Sequence, residues 1–272
     1  MRKIFFIFFF CLLTFAKAQQ KWDIKFYTET ANREYFIYAD NEEFMPISTQ
    51  LKFKTTNLSS SLANNEIVVI PAKTKKFLIA HLKPIKIKES NKLEFTNSFN
   101  FGDVTVKKYD SDYIYDLPFE KGKTQLIFQG YNGKFSHQNE NSLDFNLKVG
   151  EKVMAARDGI VVQVVDSFNQ SCPTISCAKY NNKILIMHSD GTFADYAHLK
   201  YQGTVVKKGE IVTKGQLIGY SGNTGFSSGP HLHFMVFVNG IDGERTSIKT
   251  KFKTSQSAGI LLEQGKNYTK NY

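Results

Sequence analysis

Cysteine is scarce in the 272-residue chain, which carries only Cys11, Cys172 and Cys177. That is too few for a zinc site built of thiolates, which takes two pairs. Cys11 falls in the middle of an N-terminal apolar run, the wrong place for lipid attachment. Beyond residue 18 no apolar run approaches the roughly 20 residues that a membrane helix needs, so no stable membrane insertion is expected once the N-terminus is removed. Basic residues outnumber acidic ones, 35 to 25, yet the lysines are scattered. Without a basic cluster interleaved with aromatics, no nucleic-acid partner is indicated. Long helical periodicity is also missing, which argues for a mostly β protein.

Residues 1–18 read as a secretory signal peptide. Arg2 and Lys3 supply the positive start, Ile4 to Ala16 the apolar run, and Ala16-Lys17-Ala18 a small-x-small cleavage site. At 13 residues the run is too short for a membrane span. An exported product is therefore expected, periplasmic or extracellular. Its formal charge falls from +10 to +7 with the three basic residues of the leader removed. Such a charge suits weak attraction to a polyanionic envelope. The two remaining cysteines, Cys172 and Cys177, are expected to pair in an oxidising compartment.

Two β units follow. From residue 19 to 116, about seven short alternating runs spaced roughly ten to fifteen residues apart predict an immunoglobulin-like β-sandwich. Asn57 to Glu66, rich in Ser and Asn, reads as a loop. His81 has no evident partner nearby and reads as a structural or surface histidine. Near Tyr115-Asp116-Leu117-Pro118 the composition shifts: glycines become frequent, and five of the six histidines lie beyond it. Strand signals then run through Thr124–Phe128, Leu143–Leu147, Val153–Ala156, Gly159–Val165, Lys183–His188, Phe193–Leu199 and Ile211–Tyr220. A short helix is entertained over Thr254–Gln264.

The chemistry centres on Pro230-His231-Leu232-His233-Phe234. A strand repeats every two residues, so His231 and His233 share one face while Leu232, Phe234 and Val236 turn to a core. His137 stands in a polar loop. Asp144 alternates with the apolar Leu143, Phe145 and Leu147. His198 sits in Asp-Tyr-Ala-His-Leu at a strand end. A catalytic zinc takes three protein ligands and keeps one position open. His137, Asp144 and one histidine of the H-x-H pair supply two nitrogens and a carboxylate. The remaining histidines are then free to move a proton or to face a developing oxyanion. There is no H-E-x-x-H helix, so the chain is no zincin of the thermolysin type. His188, at a strand end before a turn, reads as structural.

Five motifs, S-H-Q-N-E-N-S-L-D-F, A-A-R-D-G-I-V, D-Y-A-H-L, S-G-N-T-G-F-S-S-G and P-H-L-H-F, occur in order between Leu117 and Arg245. On them the chain resembles the lysostaphin-type, LytM-like zinc metallopeptidases, which cut peptide bonds in bacterial cell-wall peptidoglycan. The resemblance implies an antiparallel sheet with a narrow groove over residues 117–272. It implies Zn2+ held by His137, Asp144 and His233, with His198 and His231 catalytic and peptidoglycan peptides as substrate. One departure is that six residues separate His137 from Asp144, more than in many members. Gly222, Gly225 and Gly229 are expected to shape the loop beside the cleft, and the Cys172–Cys177 loop to form a wall. Two other readings stay open: a non-enzymatic module that binds the wall or activates an amidase, and an exported peptidase acting on proteins. The N-terminal unit is read as a spacer, a docking module, or a cover that keeps the groove latent. No oligomeric state follows from the sequence.

Overall fold

The structure is a computed structural model describing residues 22–272. The proposed signal peptide lies outside the described residues. The first seven strands are β1 (Ile24–Ala31), β2 (Glu34–Asn41), β3 (Ile47–Thr56), β4 (Leu58–Ser60), β5 (Ile67–Ile70), β6 (Thr74–Pro84) and β7 (Lys92–Phe101). They form two sheets, ordered β1-β2-β6-β4 and β5-β3-β7. Alternation explains the layering. Ile37, Ala39, Ala80 and Leu82 from the first sheet meet Leu51 and Ile70 from the second in one apolar core.

The two layers and seven strands match expectation, but the strand order is not that of constant immunoglobulin domains, ABED and CFG. Here the sixth strand lies in the larger sheet and the third is central in the smaller. Asn57 is one cause. It adopts φ 52°, which Asn tolerates better than most residues, and it turns the chain from β3 into β4. β4 falls inside the segment read as a loop. Its polar serines conceal Leu58, which is buried in the core. His81, read as lacking a partner, has one: its Nε2 is 2.6 Å from Glu34 Oε2 on the paired strand and its ring stacks on Phe36, which makes it structural.

The second unit is built on a nine-stranded sheet. Its path runs Ile211–Val212, Gly159–Val165, Lys183–Met187, Phe193–Ala197, Leu232–Asn239, Ser142–Phe145, Thr124–Gln129, Asn267–Thr269. Arg245–Ile248 also pairs with Leu232–Asn239. Every pairing within this sheet is antiparallel. Leu232, Phe234 and Val236 enter a large core with Phe145, Tyr196 and Phe252. The expected run Ile211–Tyr220 is two strands, Ile211–Val212 and Leu217–Ser221, because Lys214-Gly215 makes a turn with Gly215 at φ 85°. No helix forms over Thr254–Gln264: the segment holds bends and the strand Ile260–Leu261. A Ser- and Gly-containing stretch is a weak helix former. The one helix among the described residues is a 3-10 turn, Ile175–Tyr180.

The two units share an apolar seam. Met45, Ile47 and Phe101 pack against Leu185, Phe193, Met235 and Phe237, on the sheet face that also carries His233. Gly102 allows this approach: it adopts φ 85°, and a Cβ there would lie 2.7 Å from the Phe193 ring. Asn239 Nδ2 donates to the Phe101 carbonyl at 2.9 Å, and Lys208 Nζ reaches the buried Glu43 carboxylate at 2.5 Å. Past Phe101 the chain crosses the second unit. Tyr115 already belongs to its core, and Arg157 pairs with Asp190 at 2.9 Å while lying over Tyr113. Beside this anchor, His188 is buried and its Nδ1–H donates to the Asp158 carbonyl at 2.8 Å. Burial, together with the nearby Arg157 charge, pushes its pKa down to about 4 despite that hydrogen bond.

Phe193→Ala should cost about 3–5 kcal/mol, as for a large ring removed from a packed core. Urea unfolding of the full chain measures it, and a loss under about 1 kcal/mol would mean that the seam is loosely packed. His188 generates a pH effect with a definite sign. Its folded pKa lies below the ordinary His value, so the unfolded chain binds more protons and stability drops as pH falls from about 6.5 toward 4. His188→Asn, which keeps a donor for the Asp158 carbonyl, should lose less stability than wild type over that window. Equal losses in urea midpoint would contradict this.

Candidate metal centre and active-site groove

Register brings the site together. In the antiparallel ladder Asp144 stands opposite His233 on one side, and Ala197 stands opposite His233 on the other. The residue after Ala197 is His198. His231, two residues before His233, bridges to Gly222. His137 enters from the loop between Thr124–Gln129 and Ser142–Phe145. All five residues singled out from the sequence therefore line one groove of about 320 Å³. His198 adopts φ 61°, a strained backbone for a residue of its size. It is held by Asn181 Oδ1, which accepts from its backbone N–H at 2.9 Å.

Each imidazole has one nitrogen committed to a backbone carbonyl or a carboxylate. Nδ1–H of His137 donates to Gly130 O at 3.1 Å, that of His198 to Thr224 O at 2.7 Å, and that of His231 to Gly229 O at 2.8 Å. Those bonds fix the tautomer and leave Nε2 as a bare lone pair. For His137 the consequence is sharp. Its Nε2 is buried with no hydrogen-bond partner, 3.3 Å from Asp144 Oδ1. Two acceptors facing each other require a proton or a metal cation between them. Nδ1 of His233 lies 3.0 Å from the same Oδ1. Donor atoms bound at about 2.0 Å around a tetrahedral zinc lie roughly 3.3 Å apart, which is close to these two separations.

Glu140 is a second carboxylate that sequence reasoning missed. Its ligand atoms, with those of His137 and His233, all fall within 4.8 Å of one another. Its Oε1 is 3.7 Å from His233 Nε2. Asp144 Oδ1 makes the shorter contacts to the two histidines, 3.3 Å to His137 Nε2 and 3.0 Å to His233 Nδ1. The unusually long His137-to-Asp144 spacing carried the signal, because it allows a loop with a second acid.

Electrostatics separate the histidines. Burial lowers the pKa of His198 to about 3, aided by repulsion from His231 and His233. Burial also lowers that of His231. Burial opposes the charged form of His233 too, but the hydrogen bond and charge of Asp144 outweigh it and raise its pKa. Burial raises the Asp144 carboxyl, yet the close His137 ring, the hydrogen bond from His233 and the charge of His233 and His231 overcome this and hold it far below the ordinary carboxylate range.

The walls are loops. Cys172 and Cys177 are bonded, with Cα atoms 5.7 Å apart, and the bridge pins the 3-10 turn whose Ile175 and Ala178, with Asn181 just after it, line the groove. Ser171–Cys172 pairs in parallel with Gly225–Phe226. Gly225, at φ 80°, permits this, since a Cβ there would lie 2.8 Å from Asn181. Exposed Phe128 and Phe135 form the opposite rim. The residues lining the groove all come from the second unit. His188 is not in the groove and reads as structural.

The sequence signature described as Peptidase family M23 matches residues 138–244, which takes in Asp144, His198, His231 and His233. Peptidoglycan DD-endopeptidase ShyA of Vibrio cholerae is 37% identical over 100 residues, covering 37% of this chain and 20% of that protein. Lysostaphin of Staphylococcus simulans is 32% identical over 134 residues, covering 48% of this chain and 24% of that protein. The chain thus spans about a fifth to a quarter of the length of these relatives. Among solved structures, the catalytic domain of lysostaphin from S. simulans aligns at 26% identity over 51% of this chain and 87% of that one, with a TM-score of 0.32. Over residues 138–244 the chain is similar to Peptidase family M23.

Proposed function

We propose that this protein is an exported zinc metallo-endopeptidase that hydrolyses peptide bonds in peptidoglycan stems or cross-links. The observation that carries the reading is the convergence of His137 Nε2 and His233 Nδ1 on Asp144 Oδ1, at 3.3 and 3.0 Å, beside two neutral imidazoles. ShyA and lysostaphin, as relatives, supply the substrate class. The leader-like N-terminus and the Cys172–Cys177 bond support export. We read residues 19–116 as an accessory sandwich and 117–272 as the peptidase unit.

In this reading His137, Asp144 and His233 hold the metal. A zinc ion there would supply Lewis acidity, lowering the pKa of bound water to about 7. The chain's own contribution is proton handling and orientation. His198 and His231 stand with ring centroids 4.6 Å apart and present bare Nε2 atoms to the groove. One takes a proton from the attacking water; once protonated, it can return that proton to the leaving amine. Thr224 and Gly229 keep both rings in the tautomer this requires. Apolar rims and a buried floor exclude competing water.

Metal content and wall hydrolysis, measured together, test the assignment. His233→Ala should lose both. His231→Ala should retain zinc and lose roughly 10²–10⁴-fold in rate, as for removal of a general acid–base group. A wild type that holds zinc but releases no fragments from any peptidoglycan would point to a binding or regulatory module instead. The two carboxylates are separable: Asp144→Asn should abolish metal retention, whereas Glu140→Gln should weaken it by about 10–100-fold at most. The reverse ranking in a chelator competition would make Glu140 the ligand.

A further inference from the structure

Between the histidines and the sandwich, the groove floor carries a charge cluster that the proteolytic reading leaves unused. Asp195 is cross-strand neighbour to Met235, one same-face row beyond the Ala197–His233 pair, so it lies about 7 Å further along the strands. It is buried, and its Oδ1 has no hydrogen-bond partner. Two cations stand over its other oxygen. Lys183 Nζ is 3.8 Å and Arg245 Nη1 3.6 Å from Oδ2. Both separations are too long for hydrogen bonds, and neither side chain donates a hydrogen bond elsewhere among the described residues. Arg245 arrives from the strand beyond by lying across Phe237, with its guanidinium carbon 4.4 Å from the ring centroid. That contact fixes the plane of the guanidinium. All three residues line the groove with His233.

We infer that Lys183 and Arg245, gathered by Asp195, form a subsite that binds a free carboxylate of the peptide substrate. The cluster sums to one positive charge, and its unused donors are those of a planar guanidinium and an ammonium, which match a carboxylate. The next row of the sheet, Phe193 and Phe237, is covered by Phe101 of the sandwich and has almost no exposure. The open face therefore ends at the cations. A peptide laid along the strands meets them within about two residues of the histidines, at about 3.3 Å per residue. The carboxylate is either the C-terminus of a stem peptide or an acidic side chain near the scissile bond. This inference rests on the proteolytic reading for the nature of the ligand, but its test does not require turnover.

The test uses the full zinc-loaded chain and three synthetic ligands: a peptidoglycan stem peptide, its C-terminal amide, and the form with side-chain carboxylates amidated. Calorimetric affinity and, separately, kcat and KM for cleavage are measured for wild type, Arg245→Gln and Lys183→Gln. One amidated form should bind the wild type roughly 10- to 100-fold more weakly, as for loss of a charge-assisted hydrogen-bonded pair. Which form it is identifies the source of the carboxylate. Each variant should lose the preference, mainly in KM, while binding that amidated form as the wild type does and retaining its zinc. Equal affinity for all three ligands in the wild type would overturn the subsite, whether or not any is cleaved. Preference lost in the variants without cleavage would keep the subsite and remove the peptidase reading. Unchanged preference in both variants would also overturn it.

Discussion

The register of one strand governs this molecule. Leu232–Asn239 buries Leu232, Phe234 and Val236 on one face and turns His233, Met235 and Phe237 to the other. Because side chains alternate, a slip of a single residue would send His233 into the core and Phe234 into the groove. The apolar face prevents that slip. Burial of large side chains at roughly 1.5–3 kcal/mol each therefore sets the position of a carboxylate and an imidazole to within a hydrogen-bond length. Asp144 opposite His233 and Ala197 on the other flank follow from the same ladder.

The site built on this register is electrostatically costly without a cation. A buried His137 lone pair faces a carboxylate, while His198 and His231 are held neutral by burial. These features share a cause. The groove floor is dry enough to disfavour imidazolium at His198, and the same dryness strengthens any interaction between the ligands and a bound metal. Asp144 is the pivot. It lies 3.0 to 3.7 Å from Nδ1 of His233 and Nε2 of His137 and His231, so one oxygen touches three rings at once.

Much of this was legible in the sequence because it depends on local alternation. The H-x-H pair, the apolar triplet of Leu143, Phe145 and Leu147 around Asp144, and the Cys172–Cys177 pair each signal their geometry within a few residues. What escaped depends on contacts between distant segments. Glu140 becomes part of the site through the path of the His137 loop, which alternation does not encode. Thr224 and Asn181 act through single hydrogen bonds to His198 from separate loops. The sandwich order escaped for a similar reason, since strand count is local and strand partnership is not. The helix entertained over Thr254–Gln264 failed because that segment is bound by outside partners, as in the pairing of Ile260–Leu261 with Lys251–Phe252.

The seam formed by Met45, Ile47 and Phe101 against Phe193 and Phe237 gives the sandwich a role that a tethered neighbour does not have. A flexible linker lets an accessory unit sample many distances from a cutting site. Here the joint is a packed interior braced by Lys208–Glu43 and Asn239–Phe101. Anything gripped by the sandwich is thereby held at a constant offset from the histidines.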